Sequence, residues 1–265
     1  MRNGFIISRI LTALCAVLAI STAPSPAEAG EVTVAAASNF SRPAQEIAAA
    51  FEQQSGHRAR LVFGSSGKIF AQISHGAPFD VFLSADRAKP AALERQGRTE
   101  AHSRFTYAVG ALALWAPKIN RGLDFQDLTA PAVGRIAIAN PDLAPYGAAA
   151  REVLRSLNLY QQLGPKLVRG ENIAQTYQFV ASGNADIGFI AASQLPPQGQ
   201  KQGQKPAGSV KVIDGARHRP IEQDAVLLKS AADNPAARAF IAFLRSAPAR
   251  KIIRAHGYRL PESGG

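Results

Sequence analysis

The sequence contains a single cysteine, few aromatic residues and no apolar run long enough to cross a membrane. Cys15 is the only cysteine among 265 residues, so an intramolecular disulfide is excluded and the fold must be stabilised by burial alone. The five histidines are isolated from one another, without the H-E-x-x-H spacing of a zinc site. Aromatic residues make up 7% of the chain and the basic residues are scattered, so the net charge of +11 does not indicate a nucleic-acid-binding surface.

The first 29 residues are typical of a secretory signal peptide. Arg2 and Arg9 give a positive start, residues 10–20 form an apolar run, and Ala27-Glu28-Ala29 offers a small-x-small cleavage site. A transmembrane helix needs about 20 apolar residues, so a cleaved signal is favoured over a retained anchor. The sequence therefore predicts export to the periplasm, with a mature chain that starts near Gly30.

The mature chain alternates strand-like and helix-like runs. β-rich runs at residues 32–36, 58–63 and 79–84 are each followed by a helical pattern, and a second such series extends over residues 135–191. Strands that alternate with helices predict parallel βαβ units and hence an α/β fold.

The two series predict two lobes. One lobe comprises residues 30–107 and 224–265, and the other comprises residues 108–223. Residues 107–115 are predicted as one long strand that links the lobes, with a return segment near Gln223. Residues 194–208, rich in Pro, Gln, Gly and Lys, are predicted as an exposed loop.

Four predicted turns place small or polar residues where helices begin. They contain Ser38-Asn39, Ser66-Gly67, Tyr146-Gly147 and Asn172-Ile173. A helix N-terminus has unpaired N–H groups and a partial positive charge, so such ends converging on a cleft would bind an anion through neutral donors. The serine hydroxyls, the Asn39 amide and the Tyr146 hydroxyl would add further donors. Each turn taken alone is more simply explained as an ordinary helix cap.

Four segments of the chain resemble the periplasmic molybdate-binding components of ABC transporters. They are AAASNF at 35–40, FGSSGKIFAQI at 63–73, GAPFDVFLSAD at 76–86 and NPDLAPYG at 140–147. The resemblance implies a type II periplasmic-binding fold, in which two α/β lobes are joined by a two-strand hinge and the ligand lies in the cleft. It also implies a monomeric binding protein without catalytic activity or cofactor, which delivers molybdate or tungstate to an inner-membrane permease.

The resemblance assigns the ligand contacts to five residues, which are Ser38, Asn39, Ser66, Tyr146 and Ile173. Ser38 and Ser66 would donate through the hydroxyl and the main-chain N–H, and Ile173 through its N–H alone. Molybdenum would be bound as the oxyanion, with no direct side-chain ligand to the metal. Many relatives have a tyrosine where this chain has Ala191, and we infer that Tyr146 supplies the missing hydroxyl.

Two alternatives remain open at this point. The first is a binder of another oxyanion, such as sulfate or thiosulfate. The second is an exported serine hydrolase that uses Ser66 with Lys68. Residues 64–68 (GSSGK) match neither the phosphate loop, in which four residues separate the glycines, nor the G-x-S-x-G nucleophile motif.

Overall fold

The computed structural model describes residues 29–195 and 207–261. The predicted signal peptide, apart from its last residue, and most of the predicted 194–208 loop lie outside the described residues. Two five-stranded mixed sheets, each with helices on both faces, form two lobes. The predicted α/β fold with two lobes is confirmed.

The first lobe is built around one sheet and five helices. Its elements are β1 (Glu31–Ala37), α1 (Ser41–Ser55), β2 (Arg58–Gly64), α2 (Ser66–Ser74), β3 (Val81–Leu83), α3 (Ala88–Arg95), β4 (Phe105–Gly110), β10 (Ile221–Leu227), α6 (Pro235–Leu244) and α7 (Ala247–Ala255). The strand order is β2-β1-β3-β10-β4, with β1, β2 and β3 parallel and β10 antiparallel to both its neighbours. Helices α1, α6 and α7 cover one face around Phe51 and Phe240, and α2 and α3 cover the other around Ile69 and Leu93.

The second lobe repeats this plan with fewer helices. Its elements are β5 (Leu112–Ala116), β6 (Ile136–Ala139), α4 (Pro145–Ser156), β7 (Leu167–Gly170), α5 (Ile173–Ala181), β8 (Ile187–Ala191) and β9 (Ser209–Val212). The strand order is β7-β6-β8-β5-β9. Helix α4 packs on one face of the sheet and α5 on the other. Helix α2 of the first lobe and helices α4 and α5 of the second begin at the space between the lobes.

The chain passes between the lobes at Ala111 and again through residues 213–220. The prediction of one strand over residues 107–115 is wrong, because β4 and β5 belong to different sheets. A Cβ at Gly110 would lie 2.0 Å from the Tyr146 hydroxyl, so only glycine lets the two lobes approach at this point. We propose that the lobes divide where the sheets do, close to the predicted limits at residues 107/108 and 223/224.

Candidate functional site

A small cavity lies between the lobes, and all five residues expected to contact a ligand line it. The complete lining is Ala37, Ser38, Asn39, Gly64, Ser65, Ser66, Ala85, Ala144, Pro145, Tyr146 and Ile173. Every one of these residues is uncharged, so a bound ion would meet neither a carboxylate nor a cationic side chain. The cavity measures about 10 Å³, which is just enough for one water molecule. A larger anion therefore requires the lobes to separate slightly before they close on it.

Four helix starts surround this cavity. Ser38 follows β1 and begins a short 3-10 turn that continues directly into α1. Ser66 and Ile173 are the first residues of α2 and α5, and Tyr146 is the second residue of α4. The first N–H groups of a helix have no acceptor within the helix, so each start presents main-chain donors to the cavity.

Side-chain caps hold two of these starts in place, and one of them, Asn172, was predicted. The Asn172 side chain accepts from the Gln175 N–H at 3.0 Å, as expected from its position before α5. At α2 the capping residue is Ser65, whose hydroxyl accepts from the Lys68 N–H at 3.4 Å. Ser66 is thereby left free of the capping role, and its side chain lies in the cavity.

The Ser66 hydroxyl is arranged as a donor. Its oxygen accepts the Ala85 N–H at 2.9 Å, so its own proton remains available towards the cavity. Lys68, the base in the hydrolase alternative, forms an ion pair with Glu171 at 2.7 Å instead. Ser66 is therefore positioned to bind an anion, and its bonds do not prepare it for nucleophilic attack.

The expectation for the Asn39 side chain is corrected by the geometry. Its amide nitrogen donates to Gln223 Oε1 at 2.8 Å and to the Tyr258 hydroxyl at 2.9 Å. Both amide protons are thus used inside the protein and neither is available to a ligand. Only the main-chain N–H of Asn39, in the turn before α1, can serve the cavity.

Tyr146 reaches from α4 of the second lobe to the point where the lobes meet. Its side chain is 1% exposed, and its hydroxyl oxygen lies 3.4 Å from Gln223 Nε2, which donates to it. Burial raises the pKa of the Tyr146 hydroxyl well above its usual value, so the phenol keeps its proton. Ala191, at the end of β8, is fully buried and does not line the cavity.

Sequence reasoning missed a cluster of polar residues directly behind the cavity. Tyr107, Ser193, Gln223 and Tyr258 are each at most 5% exposed and hydrogen-bond to one another or to Asn39. The available signal was the pair Gln223-Asp224 directly before the apolar residues 225–228. Polar residues within a buried strand indicate a specific hydrogen-bonding role.

The two lobes are in direct main-chain contact beside the cavity. The Gly67 N–H donates to the Leu143 carbonyl of the opposite lobe at 2.8 Å. The ion pair between Lys68 of α2 and Glu171 of the second lobe spans the same gap. These contacts hold the closed arrangement.

A second, larger cavity of about 490 Å³ lies beside the first, and its lining includes charged side chains of both signs. Its cations are paired with carboxylates, as in Arg219 with Glu152 at 2.5 Å and Arg87 with Glu222 at 3.0 Å. An anion there would compete with these carboxylates, so the smaller neutral cavity is the better anion site although it has less volume.

Within residues 29–195 and 207–261, no three His, Cys, Asp or Glu side chains are grouped as a metal site would require. None of the helices in this part of the chain has the length and apolar character needed to span a bilayer.

Comparison with known proteins gives consistent matches over nearly the whole chain. Residues 32–259 match the family model described as bacterial extracellular solute-binding protein. The chain is 46% identical to the molybdate-binding protein of Azotobacter vinelandii over 97% of this chain and 99% of that protein. It is 44% identical to that of Rhodobacter capsulatus, over 93% and 94% of the two chains. The solved periplasmic molybdate-binding protein of Azotobacter vinelandii superposes with a TM-score of 0.81 at 37% identity, covering 87% of this chain and all of that one.

Proposed function

The chain belongs to the bacterial extracellular solute-binding proteins and, within them, to the molybdate-binding proteins, and we propose that its neutral cavity captures the molybdate anion. As a member of that group it is the substrate-binding component of an ABC transporter and not an enzyme. It acts outside the cytoplasm, in the periplasm.

The observation that carries the proposal is the composition of the cavity wall. Its lining contains hydroxyl groups and main-chain N–H groups at four helix starts, and no charged side chain. Each helix N-terminus carries about half a positive charge, and a hydrogen bond to a charged group contributes about 1.5–3 kcal/mol. Several such donors from both lobes are sufficient to bind a dianion without a counter-ion.

The five residues divide by the groups that they offer. Ser38 and Ser66 contribute a hydroxyl and an N–H each, from the first lobe. Tyr146 contributes its hydroxyl and Ile173 its N–H, from the second lobe. Asn39 contributes its main-chain N–H, because its amide is engaged elsewhere. Because the donors come from both lobes, the anion meets all of them only when the lobes close, so binding and closure occur together.

Selectivity follows from a site whose hydroxyl and N–H groups act as donors to the anion and whose lining contains no carboxylate acceptor. Tungstate has the charge and tetrahedral shape of molybdate and binds with it. Hydrogen phosphate carries a proton that such a site leaves without a partner, and an unpaired buried donor costs about 1–3 kcal/mol. Sulfate has the same charge and shape but is smaller, so the donors alone do not separate it from molybdate. The 46% and 44% identities to molybdate-binding proteins favour molybdate over the sulfate or thiosulfate alternative.

The remaining steps of transport complete the proposal. Residues 1–29 direct export and are removed, and the mature chain acts as a monomer. The closed lobes present the anion to an inner-membrane permease, which opens them and receives it.

The experiment that tests the site compares three serine-to-alanine variants by calorimetric titration with molybdate. Ser38→Ala and Ser66→Ala should each weaken binding about 10- to 150-fold, as expected for loss of a hydrogen bond to a charged ligand. Ser74→Ala is the matched control, because Ser74 also belongs to α2 but its buried hydroxyl has no hydrogen-bond partner among the described residues. Unchanged affinity in both cavity variants would place the anion elsewhere.

A further inference from the structure

A cluster of buried polar side chains occupies the region where both lobes meet the hinge. This hinge cluster consists of Asn39, Tyr107, Tyr146, Ser193, Gln223 and Tyr258. Tyr146 and Ser193 come from the second lobe, and the others come from the first lobe or its strand β10. Gln223 lies at its centre, because its side chain bonds to three of the other members.

Gln223 sits at an irregular point of β10. The register of β10 against β4 shifts between Gln223 and Asp224, and both residues are fully buried. The Asp224 carboxylate bonds to Arg104 at 2.8 Å and to Thr106 at 2.7 Å, away from the cluster. The two adjacent polar residues thus serve separate networks, and the Gln223 amide is committed to the hinge cluster.

The orientation of the Gln223 amide is fixed by its neighbours. Its oxygen accepts from Asn39 Nδ2 at 2.8 Å and from the Tyr107 hydroxyl at 3.1 Å. Rotating the amide by half a turn would set its NH₂ group against the Asn39 NH₂ group, which would remove the shortest of these bonds. The nitrogen of Gln223 is therefore directed at the Tyr146 hydroxyl oxygen, 3.4 Å away.

This arrangement decides which way the Tyr146 hydroxyl can act. An amide N–H needs an acceptor, so the phenol oxygen gives a lone pair to Gln223 and turns its proton away from it. The proton then has two acceptors within reach, the neighbouring Tyr258 hydroxyl and an anion in the cavity, and the charged anion is the stronger of the two. Burial keeps the pKa of Tyr146 well above its usual value, so that proton is retained. The Ser66 hydroxyl follows the same pattern, because its oxygen accepts the Ala85 N–H.

We propose that Gln223 is a positioning residue that makes Tyr146 a donor towards the bound anion and so helps the site reject oxyanions that carry a proton. The inference rests on the proposed function, in which Tyr146 contacts the anion. A purely structural Gln223 would support the hinge without affecting the choice between anions.

The substitution Gln223→Glu tests this because it replaces the N–H donor by an acceptor of the same shape. The new carboxylate keeps an acceptor for Asn39 and Tyr107, and it accepts a hydrogen bond from the Tyr146 hydroxyl. The phenol then presents a lone pair to the cavity, which can accept the proton of hydrogen phosphate. The added negative charge repels both anions alike, so the ratio of phosphate to molybdate affinity isolates the hydroxyl orientation.

The measurement is the affinity of both anions for four proteins at pH 8, by calorimetric titration. The proteins are the unsubstituted chain, Gln223→Glu, Tyr146→Phe and the double variant. We expect Gln223→Glu to raise the phosphate-to-molybdate affinity ratio at least about tenfold, the effect of roughly one hydrogen bond. The double variant should have the same phosphate-to-molybdate affinity ratio as Tyr146→Phe alone, because it has no hydroxyl at residue 146 whose direction could change.

The outcomes separate the inference from the function on which it rests. Failure of the unsubstituted protein to bind molybdate would overturn the proposed function. If the unsubstituted protein binds molybdate but Gln223→Glu leaves the phosphate-to-molybdate affinity ratio unchanged, the role of Gln223 is overturned. It is also overturned if this ratio rises as much in the double variant as in Gln223→Glu. If Gln223→Glu does not fold, Gln223→Met replaces it, and its loss of molybdate affinity should disappear in a Tyr146→Phe background. A loss of the same size in that background would contradict the proposal.

Discussion

Replacement of Gly67 by alanine should weaken anion binding without destabilising the free protein. Gly67 is the second residue of α2, and its N–H donates to Leu143 O across the gap between the lobes. A Cβ at this position would lie 2.9 Å from that oxygen and 3.0 Å from the Leu143 Cα. Both are backbone atoms that cannot rotate away, so the clash is relieved only when the lobes move apart.

The size of the effect follows from these contacts. Forcing one extra carbon into a closely packed contact costs about 1–3 kcal/mol, and this cost arises only in the closed state. Molybdate affinity should therefore fall by about 5- to 150-fold. In the open state alanine favours the helix over glycine by up to about 1 kcal/mol, so the unfolding midpoint of the free protein should be unchanged or higher.

Calorimetric titration and thermal unfolding of Gly67→Ala test whether molybdate affinity falls while the unfolding midpoint of the free protein is unchanged or higher. Gly164→Ala is the control, because a Cβ there would meet no atom within 4 Å. The control should bind molybdate like the unsubstituted protein. Undiminished affinity in Gly67→Ala would refute the closure geometry, and a loss of affinity matched by a lower unfolding midpoint would mean that the fold itself was damaged.

Three further predictions concern single groups. Tyr146→Phe should weaken molybdate binding about 10- to 150-fold in calorimetry, and an unchanged dissociation constant would leave Tyr146 as a wall of the cavity only. Glu171→Gln removes the partner of Lys68, and because exposed ion pairs contribute at most about 1 kcal/mol, molybdate dissociation in stopped flow should quicken no more than about fivefold. That difference should vanish at high salt; a difference that persists there would show that charge is not its cause. Burial raises the pKa of Tyr258 to about 12, so the stability that its neutral hydroxyl contributes is complete below pH 10 and is lost as the pH rises towards 12. Between pH 9 and pH 11.5, the free energy of unfolding measured with denaturant should fall less in Tyr258→Phe than in the unsubstituted protein. An equal fall in the two proteins would exclude this cause.

The sequence was sufficient for the fold because its signals were local. Caps such as Asn172 and the alternation of strands with helices depend on neighbouring residues, so helix and strand positions could be predicted within a few residues. The strand predicted over residues 107–115 failed for a non-local reason. The chain leaves the first sheet at Gly110, where the Tyr146 hydroxyl from the other lobe leaves no room for a side chain, and no local pattern reports that contact.

The candidate site shows the same division. Ser38, Ser66 and Tyr146 could be predicted to line the cavity because each stands at a helix start within a recognisable segment, and Ile173 because it follows the helix cap Asn172. The direction of each donor could not be predicted, since it depends on partners far along the chain. Asn39 is the clearest case, because its amide is taken by Gln223 and Tyr258, which lie 184 and 219 residues later.

The most direct test of the central claim is a thermal-unfolding comparison of the mature protein with molybdate, tungstate, sulfate and phosphate. A ligand at about 100 times its dissociation constant adds roughly 2.7 kcal/mol to the free energy of unfolding, and each kcal/mol raises the midpoint by about 2–4 °C in a chain of this size. We expect a rise of about 5–11 °C with molybdate or tungstate at such a concentration, and much smaller shifts with equal concentrations of sulfate or phosphate. Equal shifts with phosphate and molybdate would contradict a site built from neutral donors alone.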